Sequence, residues 1–180
     1  MKLDKLDRDG VLNEDRADYV KTPGELAMLA GAAQAVARLN AAGYAIAICT
    51  NQAAIGKGII DEAMLARIHD KLKDELARAG AKLDAIFHCP DAHPSPRRKP
   101  EPGMLREALR RFDAEPGATP FVGDNLRDLQ AAAKAGCPRH LVRTGHGAKI
   151  QAAGIPAELL PVRVHDDLAA AVAAILGANA

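Results

Sequence analysis

The sequence has no tryptophan, three phenylalanines and two tyrosines. A protein that binds single strands by stacking bases needs a richer aromatic supply, so that function class is disfavoured. Neither charge is in excess: 24 Lys and Arg stand against 23 Asp and Glu, for a formal net charge of +1. There is thus no basic footprint for a nucleic-acid backbone and no signature of disorder, and nucleic acid is not an expected partner. No apolar stretch reaches the roughly 18 residues that suggest a membrane span, so no membrane association is expected. Cysteine is also scarce. Cys49, Cys89 and Cys137 are odd in number and widely spaced, which argues against a disulfide framework. No basic segment followed by an apolar run and a small-residue cleavage site opens the sequence, and a reducing cytoplasm is the expected compartment.

What is present is an aliphatic protein of 180 residues. That length is enough to bury one core without staples, so residues 1–180 are expected to form a single domain. "AIAICT" (45–50) is a continuous apolar run ending in polar residues, as in a parallel strand buried on both faces. Before it, "AAQAVARLNAAGY" places Val36 and Leu39 on one helical face and ends at Gly43, a suitable helix terminator. After it, Met64, Leu65, Ile68, Leu72 and Leu76 recur at spacings of three and four, marking an amphipathic helix that ends at Gly80. "LDAIFHC", "TPFVGD", "RHLVRT" and "VRVH" read as further strands, separated or followed by the helical patterns "GMLREALRRF", "LRDLQAAAKAG" and "DDLAAAVAAILGA". This βαβα order predicts an α/β fold, a Rossmann-like three-layer sandwich around a central parallel sheet. Only a loop and one helix fit between Asp9 and Thr50, so no large cap domain is expected there.

In such sheets ligands bind beyond the carboxyl ends of the strands. Asp7 and Asp9 follow the first strand, with Gly10 behind them, and Asp124 ends another. Carboxylates this close repel unless a cation or a shared proton intervenes. Carboxylate oxygens together with waters and a phosphate oxygen make a Mg²⁺ site. Thr50 and Asn51 offer a hydroxyl and an amide to phosphate oxygens, and Arg98 and Lys99 add cationic donors from the Pro-rich loop. Metal ligands beside phosphate donors are the division of labour that phosphoryl transfer requires.

Four segments in this order, "LDRDGVLN", "TNQAAIGKG", "RRKPEPGM" and "VGDNLRD", resemble the four motifs of the haloacid dehalogenase superfamily of phosphatases, and within it the histidinol-phosphatase-related subfamily. The resemblance extends to about Gly147. It implies that Asp7 is a nucleophile forming an aspartyl-phosphate. Asp9 would be the acid that protonates the leaving oxygen and then the base that activates water, a role helped by a raised pKa. Mg²⁺ would be held by Asp7, the Asp9 backbone carbonyl and Asp124. Thr50 and Lys99 would steady the phosphoryl group, Arg98 would recognise substrate, and Asn125 would touch the phosphate or the metal shell. Asp15, Arg16, Asp18 and Tyr19 occupy the substrate-contacting loop. The implied substrate is a small sugar bisphosphate, a heptose 1,7-bisphosphate losing its 7-phosphate in nucleotide-heptose and lipopolysaccharide precursor synthesis, and a monomer is expected. The alternatives are a histidinol-phosphate or other small phosphomonoester phosphatase, and a phosphosugar-binding module without turnover. Intact Asp7, Asp9, Lys99 and Asp124 argue against the last.

Two departures stand out. Relatives often carry structural zinc in a Cys-x-His, Cys-x-Cys loop, but here "HCPDAHPSPRRKP" retains Cys89 and His93 and lacks the second cysteine pair. Even with His88 recruited, the ligands fall short of the four such a site needs, so structural zinc is not expected. The first strand carries Asp4 and Lys5 where aliphatic residues belong. These are expected to pair, to reach solvent, or to make the strand fray. Of the remaining polar residues, Asp128 reads equally as a helix cap or as an orienter of Lys99, whereas Arg97 and His69 read as surface. Cys49 and Cys137 read as core, and "AIGKG" as a turn beside the site, since it lacks the first glycine and the Ser or Thr of a nucleotide-binding loop.

Overall fold

The computed structural model describes residues 1–178. The apolar runs become six strands: β1 (Leu3–Leu6), β2 (Ala45–Asn51), β3 (Ala85–Cys89), β4 (Phe121–Gly123), β5 (Arg139–Val142) and β6 (Val162–His165). They form one sheet in the order β3-β2-β1-β4-β5-β6, and every neighbouring pair is parallel. The chain winds outward from β1 in one direction and from β4 in the other. The crevice between the carboxyl ends of β1 and β4 is therefore the topological switch point, where such sheets hold ligands.

The connections are α1 (Ala32–Ala41), the single turn α2 (Ala53–Gly56), α3 (Glu62–Arg78), α4 (Gly103–Arg111), α5 (Leu126–Lys134), α6 (Gly147–Ala153) and α7 (Leu168–Gly177). One face of the sheet packs Leu6, Ile46, Ile48 and Val122 against residues of α1, α3 and α7, among them Val36, Leu72 and Val172. The other packs Leu3, Ala47, Cys49 and Phe121 against Met104 and Leu105 of α4 and Ala131 and Ala132 of α5. This is the expected three-layer sandwich, and α1 with its loop is all that separates β1 from β2. Helix α6 lies where no helix is predicted. Its seven residues bury only Gly147, too little for a 3.6-residue period to show.

The first strand neither frays nor reaches solvent. Asp4 and Lys5 are both 0 % exposed, because β1 is ladder-bonded to β2 and β4 and covered on both faces. Lys5 finds neutral partners: its Nζ donates to the Thr119 carbonyl at 3.3 Å and to Cys137 Sγ at 3.3 Å. Neither carboxylate oxygen of Asp4 has a hydrogen-bond partner. Burial pushes its pKa up to about 8, with the charge of Lys5 pulling the other way. Asp4 is accommodated by keeping its proton, which none of the three expectations foresaw.

The folded state holds that proton up to about pH 8, whereas an unfolded carboxyl releases it near 3.8, so Asp4 makes stability fall as pH rises between those values. Asp4→Leu is expected to raise stability at pH 8 by about 1–3 kcal/mol, the usual cost of an unsatisfied buried polar group. The gain at pH 5 should be smaller. Urea unfolding of both proteins at the two pH values checks this, and a variant less stable than the parent at pH 8 contradicts it.

Candidate active site

At the switch point the strand-end loops are drawn together around Asp124. Gly10 has a φ of 79° and Gly145 a φ of 56°, and a Cβ on either would run into the Asp124 carboxylate. The close approach is fixed by the Thr144 hydroxyl, which donates to the Gly10 carbonyl at 2.6 Å. Above these loops lies a cavity of about 360 Å³. It is lined by Asp7, Asp9, Asp15, Arg16, Tyr19, Asn51, Arg98, Lys99, Asp124 and Asn125, all predicted from sequence, and also by Arg8, Gln52, Arg127 and His146.

Lys99 is the hub. It is 1 % exposed, and its Nζ sits 2.9 Å from Asp7 Oδ1 and 2.7 Å from Asp128 Oδ1. Burial works against its charge, but the Asp128 and Asp7 carboxylates outweigh that and raise its pKa above the ordinary lysine value. Asn51 clamps the Lys99 backbone from both sides: its Nδ2 donates to the Lys99 carbonyl and its Oδ1 accepts from the Lys99 N–H, each at 3.0 Å. The Asn51 amide thus positions Lys99, at the wall of the cavity. Asp128 fills both of the roles open to it. While Oδ1 holds Lys99, Oδ2 accepts from the N–H groups of Asp124 and Asn125 at 3.2 and 3.0 Å, as part of the capping box that opens α5. Asn125 is the N-cap itself, its Oδ1 accepting from Arg127 N, so its side chain too has a structural task.

Asp7 and Asp9 are separated by environment. Asp7 Oδ1 accepts from Arg8 N at 2.8 Å as well as meeting Lys99. Burial, together with the charges of Asp128 and Asp9, pushes the Asp7 pKa up to about 7 against the pull of Lys99. Burial raises Asp9 as well, but the Arg8 charge and hydrogen bonds from Arg8, Asn13 and Gln52 bring its pKa below the ordinary carboxylate value. The expectation of a raised Asp9 is therefore corrected for the ligand-free protein. Arg8 Nη2 donates to Asp9 Oδ1 at 2.8 Å, Asn13 Nδ2 to the same oxygen at 2.9 Å, and Gln52 Nε2 to Oδ2 at 3.0 Å.

Thr50 and Asp18 do not line the cavity. Thr50 is 1 % exposed, and its hydroxyl accepts from Gln52 Nε2 at 2.9 Å beneath the cavity. Asp18 points outward and pairs with Arg16 and Lys21. Its neighbour Tyr19 does line the cavity, its hydroxyl accepting from Lys57 Nζ at 2.6 Å.

The carboxylates of Asp7, Asp124 and Asp128 bring ligand oxygens within 4.8 Å of one another, as do the groups of Asp15, Asp124 and His146. With Asp128 engaged on Lys99, Asp7 and Asp124 are the side chains suited to a cation. Burial, with the charges of Asp128 and Asp7, pushes the Asp124 pKa up to about 8. Carboxylates buried together in this way, and repelling one another, fit a hard divalent ion. Three donors hold the Asp9 carboxylate, two on Oδ1 and one on Oδ2, which leaves a free site on Oδ2 for a proton and suits the backbone carbonyl, rather than the side chain, to a metal. In the Pro-rich loop, Cys89 Sγ donates to Asp91 Oδ2 at 3.4 Å, and His88 Nε2 lies 2.9 Å from Glu62 Oε2.

His146 is a site residue missed from sequence. Its N–H donates to Asp124 Oδ2 at 2.8 Å, and its Nε2 lies 2.7 Å from Asp15 Oδ2. It follows the end of β5, so the strand-end rule that found Asp124 would have found it too. His69, expected at the surface, is 6 % exposed and contacts Arg8.

A family model described as HAD-hydrolase-like matches residues 96–171. The D-glycero-beta-D-manno-heptose-1,7-bisphosphate 7-phosphatase of Bordetella bronchiseptica is 47% identical over 178 residues, 98% of each chain. The chain belongs to the haloacid dehalogenase superfamily of phosphatases. Another relative, the enzyme of the same name from Pseudomonas aeruginosa, is 38% identical over 95% of this haloacid dehalogenase protein and 96% of its own length. The crystal structure of D,D-heptose 1,7-bisphosphate phosphatase from B. bronchiseptica, complexed with magnesium and phosphate, superimposes with a TM-score of 0.93 at 46% identity over 99% of both chains.

The double duty of Asp128 has a measurable consequence. Asp128→Ala removes one of the two carboxylates on a buried ammonium and the N3 half of the capping box of α5, and is expected to cost about 3–5 kcal/mol in urea unfolding. A loss below about 1 kcal/mol, the worth of a cap alone, would mean that Asp7 suffices to hold Lys99.

Proposed function

We propose that this protein is a Mg²⁺-dependent phosphatase that removes the 7-phosphate of D-glycero-β-D-manno-heptose 1,7-bisphosphate. The observation that carries this reading is the convergence of Asp7, Asp9, Lys99 and Asp124 on one cavity, in a chain matched over 98% of its length to a relative named for that reaction. The β-anomer follows the names of that relative and of the P. aeruginosa enzyme. We place the reaction in the cytoplasm, in the supply of nucleotide-heptose and lipopolysaccharide precursors, carried out by a monomer whose residues 1–180 act as one domain. Among the described residues no helix is long and apolar enough to cross a membrane.

Mg²⁺, held by Asp7, Asp124 and the Asp9 carbonyl, would offset the negative charge of nucleophile and phosphate. The contacts on Asp7 fall on Oδ1, which leaves Oδ2 to attack phosphorus in line. As the new O–P bond forms, the ester P–O bond breaks, and its electron pair stays on the sugar oxygen, which takes a proton from Asp9. Asp9 is ionised in the free protein, but the arriving phosphoryl dianion disfavours a second negative charge beside it and loads the carboxyl with its proton. Once the sugar has left, the Asp9 carboxylate deprotonates a water that attacks the aspartyl-phosphate, freeing phosphate and restoring Asp7. Lys99 neutralises charge on the transferring group from its fixed seat between Asp7 and Asp128. Thr50 supports Asp9 through their shared donor Gln52. Arg16 and Arg98 at the cavity wall suit the far phosphate, and Asp15 and Tyr19 suit sugar hydroxyls. The Pro-rich loop, with Cys89 tied to Asp91, is proposed to need no zinc.

Phosphate release with Mg²⁺ should favour the β-anomer of heptose 1,7-bisphosphate over the α-anomer, histidinol phosphate and fructose 1,6-bisphosphate, and should stop on chelation. Asp7→Asn should lower turnover by about three orders of magnitude or more with the fold preserved. Equal slow hydrolysis of the whole panel would reduce the reading to a general phosphatase, and no hydrolysis would favour a binding module. Exhaustive chelation of zinc should leave the melting temperature unchanged, and a drop would put zinc in the loop.

A further inference from the structure

A buried polar chain runs from Asp9 through Arg8 to α3. The Arg8 side chain is 1 % exposed. Its Nη2 reaches Asp9 Oδ1 at 2.8 Å, and its Nη1 lies 3.2 Å from His69 Nε2. His69 sits among the buried residues of α3, beside Leu65, Ile68 and Leu72. Guanidinium has only donors, so Nε2 must accept and the ring must be neutral with its proton on Nδ1. Burial and the charge of Arg8 press the His69 pKa down to about 3, so this acceptor persists across the working pH range. Arg8 Nε has no partner. The guanidinium is therefore held at two points, the Asp9 carboxylate and the His69 ring.

We infer that His69 is a positioning residue for proton transfer: by fixing Arg8 from behind, it holds the Asp9 carboxyl in the orientation that delivers a proton to the leaving oxygen. Arg8 lies in the bend that follows β1, and with the His69 contact gone the Asp9 carboxylate alone would define the place of its guanidinium. His69 itself does not line the cavity. Its effect should fall on the steps in which Asp9 gives up and takes back a proton, of which kcat/KM reads only the first, and not on binding.

This inference rests on the phosphatase reading above, in which Asp9 is the acid. A sugar alkoxide departs only with a proton, whereas p-nitrophenolate departs without one. Loss of the positioned proton should therefore appear as a loss of kcat/KM on the sugar substrate alone. The full-length protein with Mg²⁺ is assayed on heptose 1,7-bisphosphate and p-nitrophenyl phosphate as parent, His69→Phe, His69→Gln and Asp9→Asn. His69→Phe fills the space without an acceptor, and His69→Leu makes the same comparison if the phenylalanine is not tolerated. His69→Gln keeps an acceptor. The expected result is a roughly tenfold fall for His69→Phe on the sugar, a fraction of the full general-acid effect, with less than about twofold change on the aryl ester. His69→Gln should recover most of the loss. Equal falls on both substrates, no fall on either, or a glutamine no better than phenylalanine would overturn the inference. If Asp9→Asn discriminates between the two substrates and His69→Phe does not, this inference alone fails. If Asp9→Asn affects both equally, Asp9 is not the acid, and the reading falls together with the inference.

Discussion

The ammonium of Lys99, buried between Asp7 and Asp128, is the contact on which the site depends. It joins the end of β1, the Pro-rich loop and the first turn of α5, three segments that meet nowhere else through side-chain charge at this depth. A buried pair of this kind is poor evidence for stability by itself, since desolvation offsets the Coulomb gain. Here each partner is also tied to backbone: Lys99 by the two bonds from Asn51, and Asp128 by the N–H groups of Asp124 and Asn125. The charges are thus placed by the same bonds that end β2 and begin α5, and Asp124 receives its orientation from the helix cap.

The charge balance then favours a cation. Asp7, Asp9, Asp124 and Asp128 face only Lys99 and Arg8 in this cluster, so full ionisation would leave an excess of two negative charges. Burial and that excess together raise Asp7 to about 7 and Asp124 to about 8, so both hold a proton more tightly than an ordinary carboxyl. Asp9, two residues from Asp7, moves the other way because Arg8 neutralises it. Neighbouring carboxyls driven apart in this manner mark different chemical roles. The "DRD" triplet is enough to do it: Lys99 meets the first carboxylate, and the intervening arginine pairs with the second.

Much of this was legible in the sequence because apolar runs in a parallel sheet stop abruptly at the ligand. That rule located Asp7, Asp9, Asn51, Lys99 and Asp124. It did not reveal that Asn51 and Asn125 spend their amides on backbone, since a strand-end amide looks the same whether it faces a ligand or a neighbouring loop. Asp18 was misplaced because the loop around it has no period from which a direction could be read. His69 was different. It lies four residues after Leu65 and three before Leu72, on the buried stripe of α3, where position says more about burial than residue type does. A histidine on the apolar face of a helix has to find a polar partner inside, and here that partner is Arg8.

The polar residues of β1 show how little of the strand is needed to aim the site. Only Leu3 and Leu6 are apolar, and they lie on opposite faces, Leu3 in the layer of α4 and α5 and Leu6 in that of α1, α3 and α7. A slip of one residue would exchange the faces of both leucines and carry Asp7 and Asp9 to the wrong side of the sheet. Against this, the pairings of Leu3 with Ala45 and of Lys5 with Phe121 fix the register from both sides. Asp4 and Lys5 can therefore be buried at some cost to stability without altering where the strand ends. The position of the strand end, rather than the composition of the strand, determines where the nucleophile and acid stand.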